Sequence, residues 1–246
     1  RRTTRVEAHE PDLTALERLL SKNPNAALKL APAAELPAAW RETAEFEWIG
    51  SRGECRQQMV WFRNLARHPG RHTATVFAAG AAEPRTVHGD VALEIPLAAS
   101  LGRFVFEPHA AVLAAELTGI LANAHGLFGV SPGIAYLTGD APVSDPVLAC
   151  FEVTDLLPLD PKHLRDAVRE RCIGQLEVKK RGVKIDPDEV RKQLHLRGDN
   201  SATLIITPIK KKIAAVLAKR VSPAANETWS DETGNHARSG YGDQPR

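Results

Sequence analysis

Apolar residues recur at helical spacing in residues 11–22, where Leu13, Leu16, Leu19 and Leu20 fall on one face. Pro11 suits the first turn of such a helix, and Asn23-Pro24-Asn25 stops it. The pattern then changes. Ala26 to Leu30 is a short apolar run closed by Ala31-Pro32. Glu45-Phe46-Glu47-Trp48-Ile49 alternates charged and apolar residues, as a half-buried strand does. Gly50-Ser51-Arg52-Gly53 predicts a turn. Cys55 to Phe62 fits either a strand or a helix, and Thr73 to Phe77 is β-branched and strand-like.

Residues 80–100 are rich in Ala, Gly and Pro and show no period beyond the short run Val91-Ala92-Leu93, which predicts a connection. Arg103 to Phe106 reads as a strand. Pro108 opens a long Ala-rich helix to about His125, with Gly126 as its C-cap. Ile134 to Thr138 and Val147 to Val153 read as strands, so this stretch predicts a small antiparallel α/β unit. Asp160-Pro161 starts a helix that carries Leu164, Val168 and Cys172 inward. Gln175 to Lys180 alternates as a strand, with Leu176 and Val178 on one face and Glu177 and Lys179 on the other. Asp186-Pro187-Asp188-Glu189 is a helix start, with Asp186 as N-cap and Glu189 closing back on it. Val190 and Leu194 form its apolar stripe, and Gly198 ends it. Thr203 to Thr207 and Ile213 to Leu217 read as strands joined by a Lys210-Lys211-Lys212 turn. Beyond Val221 apolar residues almost vanish, and residues 223–246 are expected to be disordered.

The composition of the 246 residues is 43% hydrophobic and 25% charged, which excludes a collagen, a coiled coil and a wholly disordered chain. No apolar run approaches the ~20 residues that span a bilayer, so no membrane partner is expected. The first residues, Arg1-Arg2-Thr3-Thr4-Arg5, lack the apolar stretch of a signal peptide and an initiator Met, and the chain reads as part of something longer. Cys55, Cys150 and Cys172 are odd in number and widely spaced, which fits a reducing cytoplasm.

Charge changes the picture most. The net charge is only +2, yet residues 162–220 hold 16 Lys and Arg against 7 Asp and Glu, a local +9 on an otherwise acidic chain. Such asymmetry predicts a polyanionic partner. A solvated lysine-rich surface is the plainer alternative.

Gly129-Val130-Ser131-Pro132-Gly133 matches the G-x-S-x-G pattern of serine hydrolases. That elbow needs an amide donor after the nucleophile, and Pro132 has none, so the segment reads as a turn. His68 and His72 bracket Pro69-Gly70 and are not held on one helix face, and none of the nine histidines forms a metal-binding repeat. Asn226-Glu227-Thr228 is a glycosylation triplet without a secretory signal. No Gly-rich, phosphate-cradling loop occurs. The sharpest candidate is Lys179-Lys180-Arg181-Gly182-Val183-Lys184. Gly182 permits a tight turn that brings the backbone close to a ligand, and the four cations around it would grip successive phosphates. Arg197 and the Lys210–Lys212 turn extend the patch if the fold gathers them. The alternative is a charged hairpin corner kept soluble by its lysines.

The run Ile173-Gly174-Gln175-Leu176-Glu177-Val178-Lys179-Lys180-Arg181-Gly182-Val183, followed by Asp186-Pro187, Leu194-His195-Leu196-Arg197-Gly198 and Thr203-Leu204-Ile205-Ile206-Thr207, resembles a THUMP-like domain found at the C-terminus of bacterial class I S-adenosylmethionine-dependent methyltransferases. Phe104-Val105-Phe106-Glu107-Pro108-His109-Ala110-Ala111 and Ala135-Tyr136-Leu137-Thr138 resemble the ferredoxin-like segment that precedes it in that family. Ala27-Leu28-Lys29-Leu30-Ala31-Pro32, Glu45 to Ile49 and Gly53-Glu54 resemble the closing strands of the catalytic sheet.

The resemblance implies an α/β fold: a partial Rossmann-like methyltransferase domain over residues 1–80, a connection over 81–100, a ferredoxin-like unit over 101–155, a THUMP-like domain over 156–222 and a disordered tail over 223–246. Arg1-Arg2 resembles the tail of an acidic-proline-basic motif that closes the family's catalytic pocket. The implied activity is methyl transfer from S-adenosylmethionine to structured RNA, tRNA or rRNA. Lys179, Lys180, Arg181, Gly182, Lys184 and Arg197 are then the RNA-binding candidates. The Gly-rich loop and ribose-binding acid of the cofactor site are missing from this sequence, so it is not expected to bind the cofactor or turn over alone. The alternative expectation is a non-enzymatic RNA- or ribosome-binding module.

Overall fold

The computed structural model describes residues 11–91, 93–210 and 212–221. The readings made for Arg1-Arg2, Lys211, Asn226 and the tail 223–246 lie outside these residues. The first helix, α1 (Leu13–Lys22), starts after Asp12, whose carboxylate accepts the Ala15 amide at 2.8 Å. β1 (Ala27–Leu30), β2 (Ala44–Ser51), β3 (Glu54–Phe62), β4 (His72–Phe77) and β5 (Arg85–Gly89) form a five-stranded sheet in the order β1-β3-β2-β4-β5. β3 is antiparallel to both β1 and β2, while β4 is parallel to β2. The Cys55–Phe62 segment is therefore strand, and Gln58, Val60 and Phe62 alternate inward.

A second, seven-stranded sheet holds β6 (Phe104–Pro108), β7 (Phe128–Ser131), β8 (Ile134–Gly139), β9 (Leu148–Pro158), β10 (Ile173–Lys180), β11 (Asn200–Ile209) and β12 (Lys212–Val221). Its order is β10-β11-β12-β9-β6-β8-β7, and among the described strands only the β10–β11 pair is parallel. β9 is eleven residues long and runs straight through the expected division at 155/156. Its first half pairs with β6 and its length pairs with β12, so the two expected units share one sheet. α2 (Ala110–Ala114) and α3 (Thr118–His125) join the core beneath the five-stranded sheet, which includes Phe46, Val60, Phe106 and Leu121. α4 (Pro161–Glu170) and α5 (Pro187–Leu194) cover one face of β10–β12 through Leu164, Val168, Leu194, Leu204 and Leu217. The opposite face buries Val105, Tyr136, Phe151, Ile205 and Val216, and no helix contributes to that cluster.

This face closes because the sheet curls on itself. The Lys210 amide donates to the Val130 carbonyl at 3.2 Å, and the Ser131 hydroxyl donates to the Lys210 carbonyl at 2.6 Å. Ser131 is thus a sheet-closing residue, and the turn proper is Pro132-Gly133.

Several local readings need correction. β5 falls inside the stretch read as a connection, where buried Val87 and Gly89 are too few to display a period. β7 is a strand that the turn reading concealed. The single helix over 108–125 is two. Pro108 ends β6, His109 caps α2 by accepting the Ala111 amide at 3.1 Å, and Glu116 adopts φ +60 between the helices. Alanine-rich sequence favours helix without fixing its direction. Here Leu117 must be fully buried, and Gly119 presses on the Leu93 backbone, where a Cβ would lie 2.1 Å from its carbonyl oxygen. Cys172 does not point inward. It lies exposed beyond α4 with φ +49. α5 ends at Leu194 through His195 in the left-handed region, not at Gly198. Gly198 instead packs against the Cys172 carbonyl and Gly174, fastening the 195–199 loop to the start of β10.

One buried group fastens the two sheets together. The Asp145 carboxylate, fully buried, accepts from His125 at 3.0 Å, from Arg85 of β5 at 3.3 Å and from the Val147 amide at 3.1 Å. Burial alone would raise its pKa, but His125, the Val147 amide and Arg85 outweigh it and hold the carboxyl below its ordinary range.

Candidate nucleic-acid interface

β10 carries the lysine run out to the sheet edge, and strand alternation decides what each cation meets. Lys179 turns to the helix-free face. Its ammonium lies 2.7 Å from Glu107 of β6 and 3.2 Å from Glu177. Arg181 reaches the same Glu107 at 3.4 Å and lies over the Tyr136 ring, 5.2 Å from its centroid. Burial, together with the Glu107 charge, raises the Tyr136 pKa, so its hydroxyl stays protonated. Glu177 also meets Arg220 at 3.3 Å. Five alternating charges therefore run Arg181, Glu107, Lys179, Glu177, Arg220. Burial pushes the Glu177 carboxyl up, yet Lys179 and Arg220 outweigh it and hold it below its usual range.

Two of the predicted phosphate grips are thus neutralised from within. Glu107 is the residue that sequence reasoning missed. It sits 72 positions from Lys179 in the chain and four strands away in the sheet, and only the curl of the sheet across its helix-free face brings the two together. Gly182 is also corrected. It adopts φ +71, but its Cα faces Ile134 and Pro208, and a Cβ there would lie 2.3 Å from the Ile134 side chain. The glycine lets the chain turn close against β8 and β11.

Lys180 points the other way and is exposed, with its ammonium donating to the Ile185 carbonyl. Lys184 is exposed and has no ion pair among the described residues. Because β10 and β11 are parallel, with Lys180 beside Ile206, the exposed Lys210 and Lys212 follow at the same end. Arg197 does not join them. The Gly174–Gly198 contact holds its loop at the start of β10, roughly 20 Å from Lys180 for six residue steps at about 3.3 Å each. The predicted patch therefore divides. Lys180 and Lys184 lie towards the same end of the sheet as Lys210 and Lys212, Lys179 and Arg181 are sequestered, and Arg197 stands apart.

Residues 148–220 match a family model described as THUMP domain-like. They form a THUMP-like domain. It comprises β9 to β12 with α4 and α5, and Glu107 pairs with it from outside. The chain is homologous to a protein of Mycobacterium tuberculosis strain H37Rv named "Uncharacterized S-adenosylmethionine-dependent methyltransferase", with 33% identity over 165 residues, and equally to its counterpart in strain CDC 1551 / Oshkosh. The matched region is 67% of this chain and 44% of either relative, so the chain spans under half the length of the curated relatives it matches. The crystal structure of a "putative methyltransferase" from Porphyromonas gingivalis W83 shares the fold, with a TM-score of 0.73 over 89% of this chain and 57% of that one at 20% identity.

The cofactor in the relatives' names can be tested against the residues present. A sheet with parallel strands presents small ligands outside their carboxyl ends. Two cavities, of about 1080 and 280 Å³, both line the THUMP-like domain and neither opens on β1, β2 or β4. The Gly50-Ser51-Arg52-Gly53 turn at the end of β2 leads into the antiparallel β3 and not into a helix N-terminus that would face a phosphate. The described residues alone do not fit an S-adenosylmethionine site. Among them no group of three or more His, Cys, Asp or Glu is placed to hold a metal, and no helix is long and apolar enough to cross a membrane.

Proposed function

We propose that this chain is the substrate-holding part of an S-adenosylmethionine-dependent methyltransferase that acts on structured RNA, tRNA or rRNA. The THUMP-like domain holds the RNA through Lys180, Lys184, Lys210 and Lys212. The observation that supports this reading is that these cations are each exposed and lie towards one end of the sheet, without carboxylate partners among the described residues. Each contact with a phosphate releases condensed counterions, so the grip follows backbone shape more than base identity. Methyl transfer itself draws on cofactor-binding residues that this chain does not supply. The reading is tested by titrating the full chain with a structured RNA at increasing salt. Binding should weaken steeply, with a log–log slope of about −3 for four phosphate contacts. No binding at low salt, or binding indifferent to salt, contradicts it.

A further inference from the structure

The smaller cavity opens towards the basic end of the sheet. It is a cleft of about 280 Å³ between α4 and α5, walled by Leu159, Leu164, Ile185 and Val190. Leu159 follows directly on β9, whose Pro158 pairs with Ala214 of β12, two residues from the exposed Lys212. On the α5 side, the exposed Lys180 donates through its ammonium to the Ile185 carbonyl. An ammonium has three donors, so Lys180 keeps two for a further acceptor beside the cleft.

The walls and the rim suit different parts of a nucleotide. The aliphatic walls favour a flat apolar ring over water. The rim is formed by Asp186, Glu189 and Gln193. Asp186 uses one carboxylate oxygen for the Asp188 amide at 2.9 Å, and Glu189 meets Lys192 at 3.6 Å with both side chains largely exposed. The two carboxylates repel a phosphate from the mouth of the cleft, yet they accept from an amino group, as the Gln193 amide oxygen does. The phosphate therefore stays outside at Lys180, and a base bearing an exocyclic amino group enters. A base-paired nucleotide has no free ring face, so only an unpaired one fits.

We propose that the α4–α5 cleft holds an unpaired adenine or cytosine of the bound RNA, with the adjoining phosphate on Lys180. The inference rests on the RNA-binding reading and deepens it: the cations grip the backbone, and the cleft selects a single-stranded nucleotide beside it. Burying the ring between Leu164 and Val190 supplies affinity that salt does not screen.

The full chain is titrated with two hairpin RNAs of the same stem, one ending in unpaired adenines and one carrying abasic sugars at those positions, so that the phosphates are equal in number. The adenine form should bind about tenfold more tightly, and a uracil form about threefold less tightly than adenine. Val190→Gln, confirmed folded by circular dichroism, should remove the gain. Gln193→Ala, a surface change, should cut it about threefold and serves if Val190→Gln does not fold. Equal binding of the adenine and abasic forms overturns the proposal and leaves the basic end standing. If a lysine-flanked leucine peptide then binds the wild type and not Val190→Gln, the cleft belongs to a protein partner. A gain that persists in both variants, or uracil equal to adenine, also overturns the proposal. No RNA binding at low salt overturns it together with the reading on which it rests.

Discussion

Lys179 and Lys180 are neighbours in the chain and opposite in fate. Lys179 is 19% exposed and locked between Glu107 and Glu177, while Lys180 stands in solvent beside Lys184. The difference arises from one rotation of the β-strand pleat and one distant carboxylate. It teaches that a basic run in a sequence fixes how much charge exists, while topology fixes how much of it is presented. Arg181 and Lys184 repeat the contrast three residues apart.

The comparison breaks most sharply at the glycine between these two groups. Gly182→Ala places a methyl against Ile134 at a positive φ, and should lower stability by about 2–4 kcal/mol. Denaturant melts report this, and an unchanged midpoint would mean the sheet does not close there. Glu107→Gln comes next. It leaves Lys179 and Arg181 half-buried without their shared charge and should cost about 1–3 kcal/mol, while RNA affinity holds or rises slightly as two cations are released. A fall in RNA affinity in the folded variant would place the sequestered cations in the contact surface.

The joint between the sheets answers to pH. The folded pKa of Asp145 is depressed, so its stabilisation is fully present above the unfolded carboxylate value of about 4 and is lost as pH falls through the lower folded value. Acid melts of the protein should therefore show a steeper loss below pH ~4 than Asp145→Asn, which has no such group to titrate. Parallel acid limbs would remove Asp145 from the account. The smallest expected effect is Arg197→Ala on RNA binding. Its position at the far end of β10 predicts less than about a twofold change, measured in the same titration.

Most strands and both capped helices of the THUMP-like domain were legible in the sequence, because Leu176/Val178 and Val190/Leu194 follow strand and helix periods and Asp160 and Asp186 sit at true caps. The α2–α3 break was not, since Ala110 to Ala115 carries propensity but no sign that Leu117 and Gly119 must reach a different wall. β5 and β7 escaped for lack of a period. The site was legible as charge but not as surface. Glu107 read only as the polar end of Phe104-Val105-Phe106, and no local pattern marks it as the partner of residues more than seventy positions away.

The account's central claim is that RNA is held by the outward cations and not the inward ones. Two double variants of the full chain separate them: Lys180→Ala with Lys184→Ala, and Lys179→Ala with Arg181→Ala, each confirmed folded and titrated with structured RNA across salt. The first pair should weaken binding at least tenfold and flatten the log–log salt slope by about 1.5, and the second should leave the slope unchanged. A flattened slope in the second pair with the first unaffected would contradict the claim.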